Sequence, residues 1–87
     1  MPAITVHTTT NCQMCRATNR KLDKAGIEYQ TIDVSQEEYG DLADAIRERA
    51  NELDTAPIMP YVTVYDEHNT LTDEWFGFNP DKINTLV

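Results

Sequence analysis

Cys12 and Cys15 enclose two residues in the run Thr10-Asn11-Cys12-Gln13-Met14-Cys15-Arg16. A cysteine pair at this spacing cycles between dithiol and disulfide when it opens a helix, because a single turn brings the two sulfurs within bonding reach. The first sulfur then faces backbone amides that have no helical partner, and the helix dipole adds positive potential. Both favour the thiolate, and Arg16, one turn on, adds a cation. Cys12 is therefore expected to attack a substrate disulfide. Cys15, deeper in the turn, is expected to resolve the mixed disulfide. Two other readings of the pair stay open: packing cysteines, and a zinc half-site that His7 and His68 would have to complete. His7 lies on a strand and is assigned a structural place, whereas His68 lies in a polar turn and is expected to face solvent.

Other residues are candidates for a substrate groove. Gln13 and Met14 fill the space between the cysteines and are placed to brush a partner's backbone. Pro60 immediately precedes an apolar strand, so it can lack an amide donor without breaking a ladder bond. The Met59–Pro60 bond is accordingly expected to be cis and to turn the Met59 backbone toward Cys12. Pro57, after Ala56, is the competing cis position. The run Trp75-Phe76-Gly77-Phe78 is expected to form another wall, with Trp75 partly exposed as a contact residue. Gly77 suits an unusual backbone angle or a close approach. Phe78 could instead close the end of the core.

These residues need elements to position them. The β-branched alternation of Ala3–Thr8 reads as a strand, with Ile4 and Val6 on one side. A helix runs from about Gln13 to Ala25. Cys15, Thr18, Leu22 and Ala25 form its buried stripe, and Gly26 follows at the C′ position. Ile27 to Val34 reads as a second strand, and so short a link after the helix suits a strand–helix–strand unit with parallel strands. Ser35-Gln36-Glu37-Glu38 has the form of a capping box, with Val34 and Tyr39 as its hydrophobic staple. The helix it opens should bury Tyr39, Leu42, Ala43, Ile46, Ala50 and Leu53, and Gly40 should weaken it by up to about 1 kcal/mol. Asp54 to Pro60 is irregular. Tyr61–Tyr65 and Thr70–Phe76 read as a hairpin about a turn at Asp66–Asn69. Asn79 as N-cap and Pro80 at the first helical position open a last short helix. The order is β-α-β-α-β-β-α, an α/β arrangement with a four-stranded mixed sheet. With a cysteine pair after the first strand, that order is a thioredoxin fold in its minimal, glutaredoxin-sized form.

At 87 residues the chain has room for one domain and one core. The net charge of −8 argues against nucleic-acid binding, which needs a basic face. The charge is also uneven. Arg16, Arg20, Lys21 and Lys24 follow the cysteines with only Asp23 opposing them, while Glu37 to Asp54 is strongly acidic. This is either a pair of solvated helix faces or a basic rim that steers an acidic partner. No apolar run is long enough to span a membrane. Met1-Pro2-Ala3-Ile4-Thr5 lacks the basic and apolar regions of a signal peptide, which points to the cytoplasm, where thiols are kept reduced.

The stretch from Cys12 to Val34 resembles the NrdH-redoxins in the cysteine pair, Ala17-Thr18, Arg20, Leu22-Asp23, Gly26-Ile27, Tyr29 and Asp33. The resemblance resumes at Trp75 and runs to Ile83, where Trp75-Phe76-Gly77-Phe78-Asn79-Pro80 is similar to that family's W-S-G-F-R-P. It implies a glutaredoxin-like protein with thioredoxin-like behaviour and no bound cofactor. By the same resemblance, its partners would be the large subunit of class Ib ribonucleotide reductase and thioredoxin reductase, with NADPH as the ultimate electron source. A monomer is expected. The sequence departs from the family pattern at Gln13-Met14, at Phe76 in place of serine and at Asn79 in place of arginine, and Glu38 to Met59 matches poorly. A glutathione-dependent glutaredoxin is the alternative in the same class. Those proteins usually carry C-P-Y-C and charged groups for glutathione carboxylates, which Gln13-Met14 and Phe78-Asn79 do not resemble. A small metal-binding C-x-x-C protein is the alternative from another class.

Overall fold

Ala3–Thr8 forms β1, whose β-branched side chains suit a pleated, buried surface. In the computed structural model, which describes residues 3–86, β1 is one of two central strands. The cysteine helix α1 (Gln13–Lys24) follows. The chain leaves α1 through a Schellman turn: the Ile27 amide donates to the Leu22 carbonyl and the Gly26 amide to the Asp23 carbonyl, with Gly26 at φ +70°. The second strand, β2, is confined to Gln30–Asp33, shorter than the expected run from Ile27 to Val34. It lies parallel to β1, with Thr5 opposite Gln30 and Thr8 opposite Asp33. Residues 27–29 carry the chain from the helix exit to the sheet instead of pairing.

A single 3-10 turn (Glu37–Tyr39) leads into α2 (Gly40–Glu52). Strands β3 (Tyr61–Tyr65) and β4 (Leu71–Phe76) form an antiparallel hairpin, and α3 (Pro80–Asn84) is the last element. The sheet order is β2-β1-β3-β4, with β1 antiparallel to β3. The element order is the one the sequence implies, and the mixed sheet is that of the thioredoxin fold.

Alternation divides the sheet into two faces. Ile4, Val6, Val62, Val64 and Trp75 pack with Leu22 of α1 and Ile83 of α3 in one apolar core. Val34, Ile46 and Tyr61 form a second, smaller cluster on the α2 side, joined by half-buried Tyr39, Leu42, Met59 and Phe76.

Several local expectations are corrected. The capping box does not form. The Ser35 amide and hydroxyl both bond Asp33 Oδ1, and the Ser35 hydroxyl also meets Thr10 Oγ1 at 2.9 Å. With Ser35 thus engaged, α2 starts later, behind Tyr39, which makes no side-chain cap bond. Gly40 becomes the first residue of the helix, where an interior penalty does not apply. Val34 and Tyr39 still share a cluster. Leu53 lies just past the end of α2 and is exposed rather than buried. Ala25, Leu42 and Ala43 are only half-buried. At the last helix the expectation holds: Asn79 Oδ1 accepts from the Lys82 amide at 3.2 Å, with Pro80 in the first turn.

Candidate active site

The apolar face of the sheet fixes α1 so that its first turn lies beyond the end of β1. Cys12 is the N-cap of that helix, with extended backbone (φ −94°, ψ 106°). Its Sγ accepts a hydrogen bond from the Cys15 amide at 3.1 Å. A serine or aspartate oxygen normally caps a helix in this way; here a sulfur does so, and negative charge on that sulfur would strengthen the bond. Cys15 is 3% exposed and packed inside the helix, whereas Cys12 is half-open to solvent. The two are joined as a disulfide, with Cα atoms 5.2 Å apart. Thr18, fully buried one turn below, donates to the Met14 carbonyl at 2.8 Å and braces the turn.

Facing this turn is the loop before β3. The Met59–Pro60 bond is cis, as its position in the sequence implies, and Pro60 is buried. The Met59 carbonyl oxygen lies 3.7 Å from Cys12 Sγ. The Pro60 carbonyl accepts from the Gly77 amide at 2.8 Å, which ties the loop to the end of β4. Gly77 has φ +83°, where a side chain would be strained. A Cβ there would sit 3.7 Å from Ile58 Cγ2 and 3.9 Å from Met14 Sδ, so three segments converge around this glycine. Met14 is 46% exposed, Ile58 50% and Phe78 39%, which leaves apolar surface beside the cysteines. Gln13 is exposed next to Cys12.

Two wall residues differ from expectation. Trp75 is only 6% exposed: its register opposite Val62 turns it into the α1-side core, so it is not a surface contact. Phe76 points the other way and stacks on Tyr61 with ring centroids 4.5 Å apart. Ile58 was not among the residues singled out from the sequence. An isoleucine inside an otherwise exposed, proline-bounded loop is the signal that could have found it. Also unforeseen is an apolar hollow of about 320 Å³ on the far side of Met59, lined by Thr9, Val34, Ile46, Pro57 and Met59 among others.

Among the described residues, no group of histidines, cysteines and carboxylates is placed to hold a metal ion. His7 is buried and its Nδ1 donates to the Tyr61 carbonyl at 2.8 Å. Burial holds its basicity below the ordinary value, and that hydrogen bond opposes the shift in part. His68 is exposed in the β3–β4 turn.

A thioredoxin fold with a disulfide at the start of its first helix, one sulfur open and one buried, defines a thiol–disulfide oxidoreductase. The glutaredoxin family profile matches residues 4–68. The glutaredoxin-like protein NrdH of Salmonella typhimurium is 32% identical over 84 residues, 97% of this chain and 88% of that protein. Its counterpart in Escherichia coli K12 is 30% identical over 83 residues, 95% and 86% of the two chains. The solved NrdH-redoxin of Escherichia coli superposes with a TM-score of 0.78 at 29% identity, covering 98% of this chain and 95% of that one. An Archaeoglobus fulgidus glutaredoxin shares the fold at TM-score 0.72 and 18% identity, covering 99% and 86%. The chain belongs to the glutaredoxin family and, within it, to the glutaredoxin-like NrdH proteins.

Proposed function

We propose that this protein is a dithiol electron donor, reduced by a thioredoxin reductase at the expense of NADPH and oxidised by the large subunit of a class Ib ribonucleotide reductase. The observation that carries the dithiol chemistry is the Cys15 amide aimed at Cys12 Sγ, with Cys15 itself buried. A negative charge on Cys12 would be held by that amide and by the helix dipole. In the reduced protein, the Cys12 thiolate attacks one sulfur of the partner's disulfide. A Cys12–partner bond forms, and the partner's S–S bond breaks with its electron pair on the second sulfur, which takes up a proton. Cys15 then loses its proton and attacks Cys12 Sγ. The Cys12–Cys15 bond forms and the partner's first sulfur leaves as a thiol. Two electrons and two protons have passed to the partner.

The Met59 carbonyl, beside Cys12, is the backbone group a bound extended segment would pair with. Met14, Ile58 and Phe78 supply apolar contact around it, and Gln13 a polar one. Gly77 and buried Pro60 hold that groove in shape, and Trp75 and Phe76 support it from the two faces of the sheet. We place the protein in the cytoplasm, where the dithiol form this role requires is maintained. The thioredoxin-like activity profile named for the Escherichia coli NrdH-redoxin supports the choice of reductase.

A coupled assay tests the reading. Thioredoxin reductase with NADPH should sustain turnover of the Cys12–Cys15 disulfide faster than glutathione with glutathione reductase. Turnover with glutathione alone would replace this reading with that of a glutathione-dependent glutaredoxin.

A further inference from the structure

We infer that the outer face of α1 is a docking strip for an acidic polypeptide segment that carries the partner's disulfide. The inference rests on the oxidoreductase chemistry above and adds what the partner must look like. Of the seven lysines and arginines in the chain, Arg47, Arg49 and Lys82 are held in ion pairs with Asp44, Glu74 and Asp73. The other four, Arg16, Arg20, Lys21 and Lys24, all lie on α1, and none has an ion-pair partner among the described residues. The single acid of that helix, Asp23, accepts from the Tyr29 hydroxyl at 2.9 Å.

Arg16, Arg20 and Lys24 follow one another at four-residue steps and are exposed, so they run up one face over about 12 Å. Lys21 flanks them, and a shallow trough of about 490 Å³ opens between Ala17, Arg20, Lys21 and Lys24. Like charges at these spacings repel one another, so the row does not serve helix stability as a whole. Local explanations cover only parts of it. The C-terminal dipole favours Lys21 and Lys24. Arg16, one turn from Cys12, favours its thiolate. Arg20 is served by neither, being past the first turn and beyond the screening length of about 8 Å from Cys12. A bound row of carboxylates uses all four.

The rest of the surface adds direction. With a net charge of −8, the molecule as a whole repels an acidic segment, and the unpaired cations of this strip, which begins one turn from Cys12, offset that repulsion locally. A segment that enters here is oriented with its cysteine toward Cys12. An extended chain advances about 3.3 Å per residue, so its carboxylates should fall roughly two to six residues from its reacting cysteine.

Three synthetic peptides with the same internal disulfide, flanked by glutamates, serines or lysines, test this with the full chain. Each rate of reduction is normalised to the rate with dithiothreitol. At low ionic strength the glutamate peptide should be reduced about tenfold faster than the serine peptide and the lysine peptide slowest, with the spread collapsing in ~0.5 M salt. The double variant R20E/K24E should reverse the order. Equal normalised rates on all three peptides would overturn the docking strip and leave the oxidoreductase reading standing. A variant that slowed all three alike would also overturn it, because the cations would then act only on the thiolate. No reduction of any peptide would overturn both.

Discussion

The two faces of the sheet are held to their helices by different physics. On the α1 side aliphatic and aromatic side chains dominate: Ile4, Val6, Val62, Val64 and Trp75 meet Leu22 and Ile83, each almost without exposure, and the buried Thr18 hydroxyl is bonded within α1. On the α2 side the same strands present Thr5, His7, Thr63 and Tyr61, all buried, and β4 presents Glu74. There α2 is tied down by a polar clamp. Arg49 donates to both oxygens of Glu74 at 2.7 Å, and the Tyr61 hydroxyl donates to Glu74 Oε1 at 2.8 Å. Burial, then the neighbouring Glu74, pushes the Tyr61 hydroxyl above its ordinary range. The bond from Arg49, ahead of that from Tyr61, holds the Glu74 carboxyl below its own. The face that must keep Cys12 open and Cys15 shut is therefore secured by non-directional burial, which is insensitive to pH. His7, Tyr61 and Glu74, whose protonation folding shifts, lie on the other face.

The contrast can be broken most severely at Leu22. Leu22→Ala should cost about 2–5 kcal/mol, because the side chain is fully buried and the apolar core cannot collapse around it. Urea denaturation reads this as a lowered midpoint with the slope retained. A loss below about 1 kcal/mol would mean that α1 is not anchored by this core.

A smaller effect is expected at the clamp. Glu74→Ala leaves the part-buried Tyr61 hydroxyl without its acceptor and Arg49 with Glu52 alone, at a cost of about 1–3 kcal/mol. The clamp should also show in pH dependence. The folded-state pKa of Glu74 lies below its ordinary value of 4.5, so its contribution is present above that value and fades as pH falls through the lowered one. Glu74→Gln should remove that part of the acid sensitivity.

The smallest change is expected at His7. Its folded-state pKa lies below 6.5, so the unfolded chain takes up the proton first and stability falls as pH drops beneath 6.5. Thermal melts of His7→Gln across that range should show a flatter curve than those of the parent. An unchanged slope would place the sensitivity elsewhere.

What could be read in advance follows the same division. The α1 side is local: the cysteine spacing, the Leu22 stripe, the Gly26 exit and the Asn79–Pro80 start are all short-range signals, and each matches the structure. The Met59–Pro60 bond was legible because Pro60, unlike Pro57, directly precedes a strand. The α2 side depends on partners remote in sequence. Ser35 with Glu38 three residues on has the local pattern of a cap, yet Asp33 and Thr10 claim its hydroxyl. Arg49 and Glu74 are 25 residues apart, and no local pattern announces their pairing. Trp75 and Phe76 are adjacent aromatics, so only the register with β3 decides which enters which face.

In the proposed exchange Cys12 attacks and Cys15 resolves. Brief alkylation of the fully reduced protein near neutral pH, quenched early and mapped by peptide mass, tests it directly. Label is expected on Cys12 well before Cys15, since one sulfur is half-open and held by an amide while the other is buried. Label appearing first on Cys15, or on both at equal rates, would contradict it.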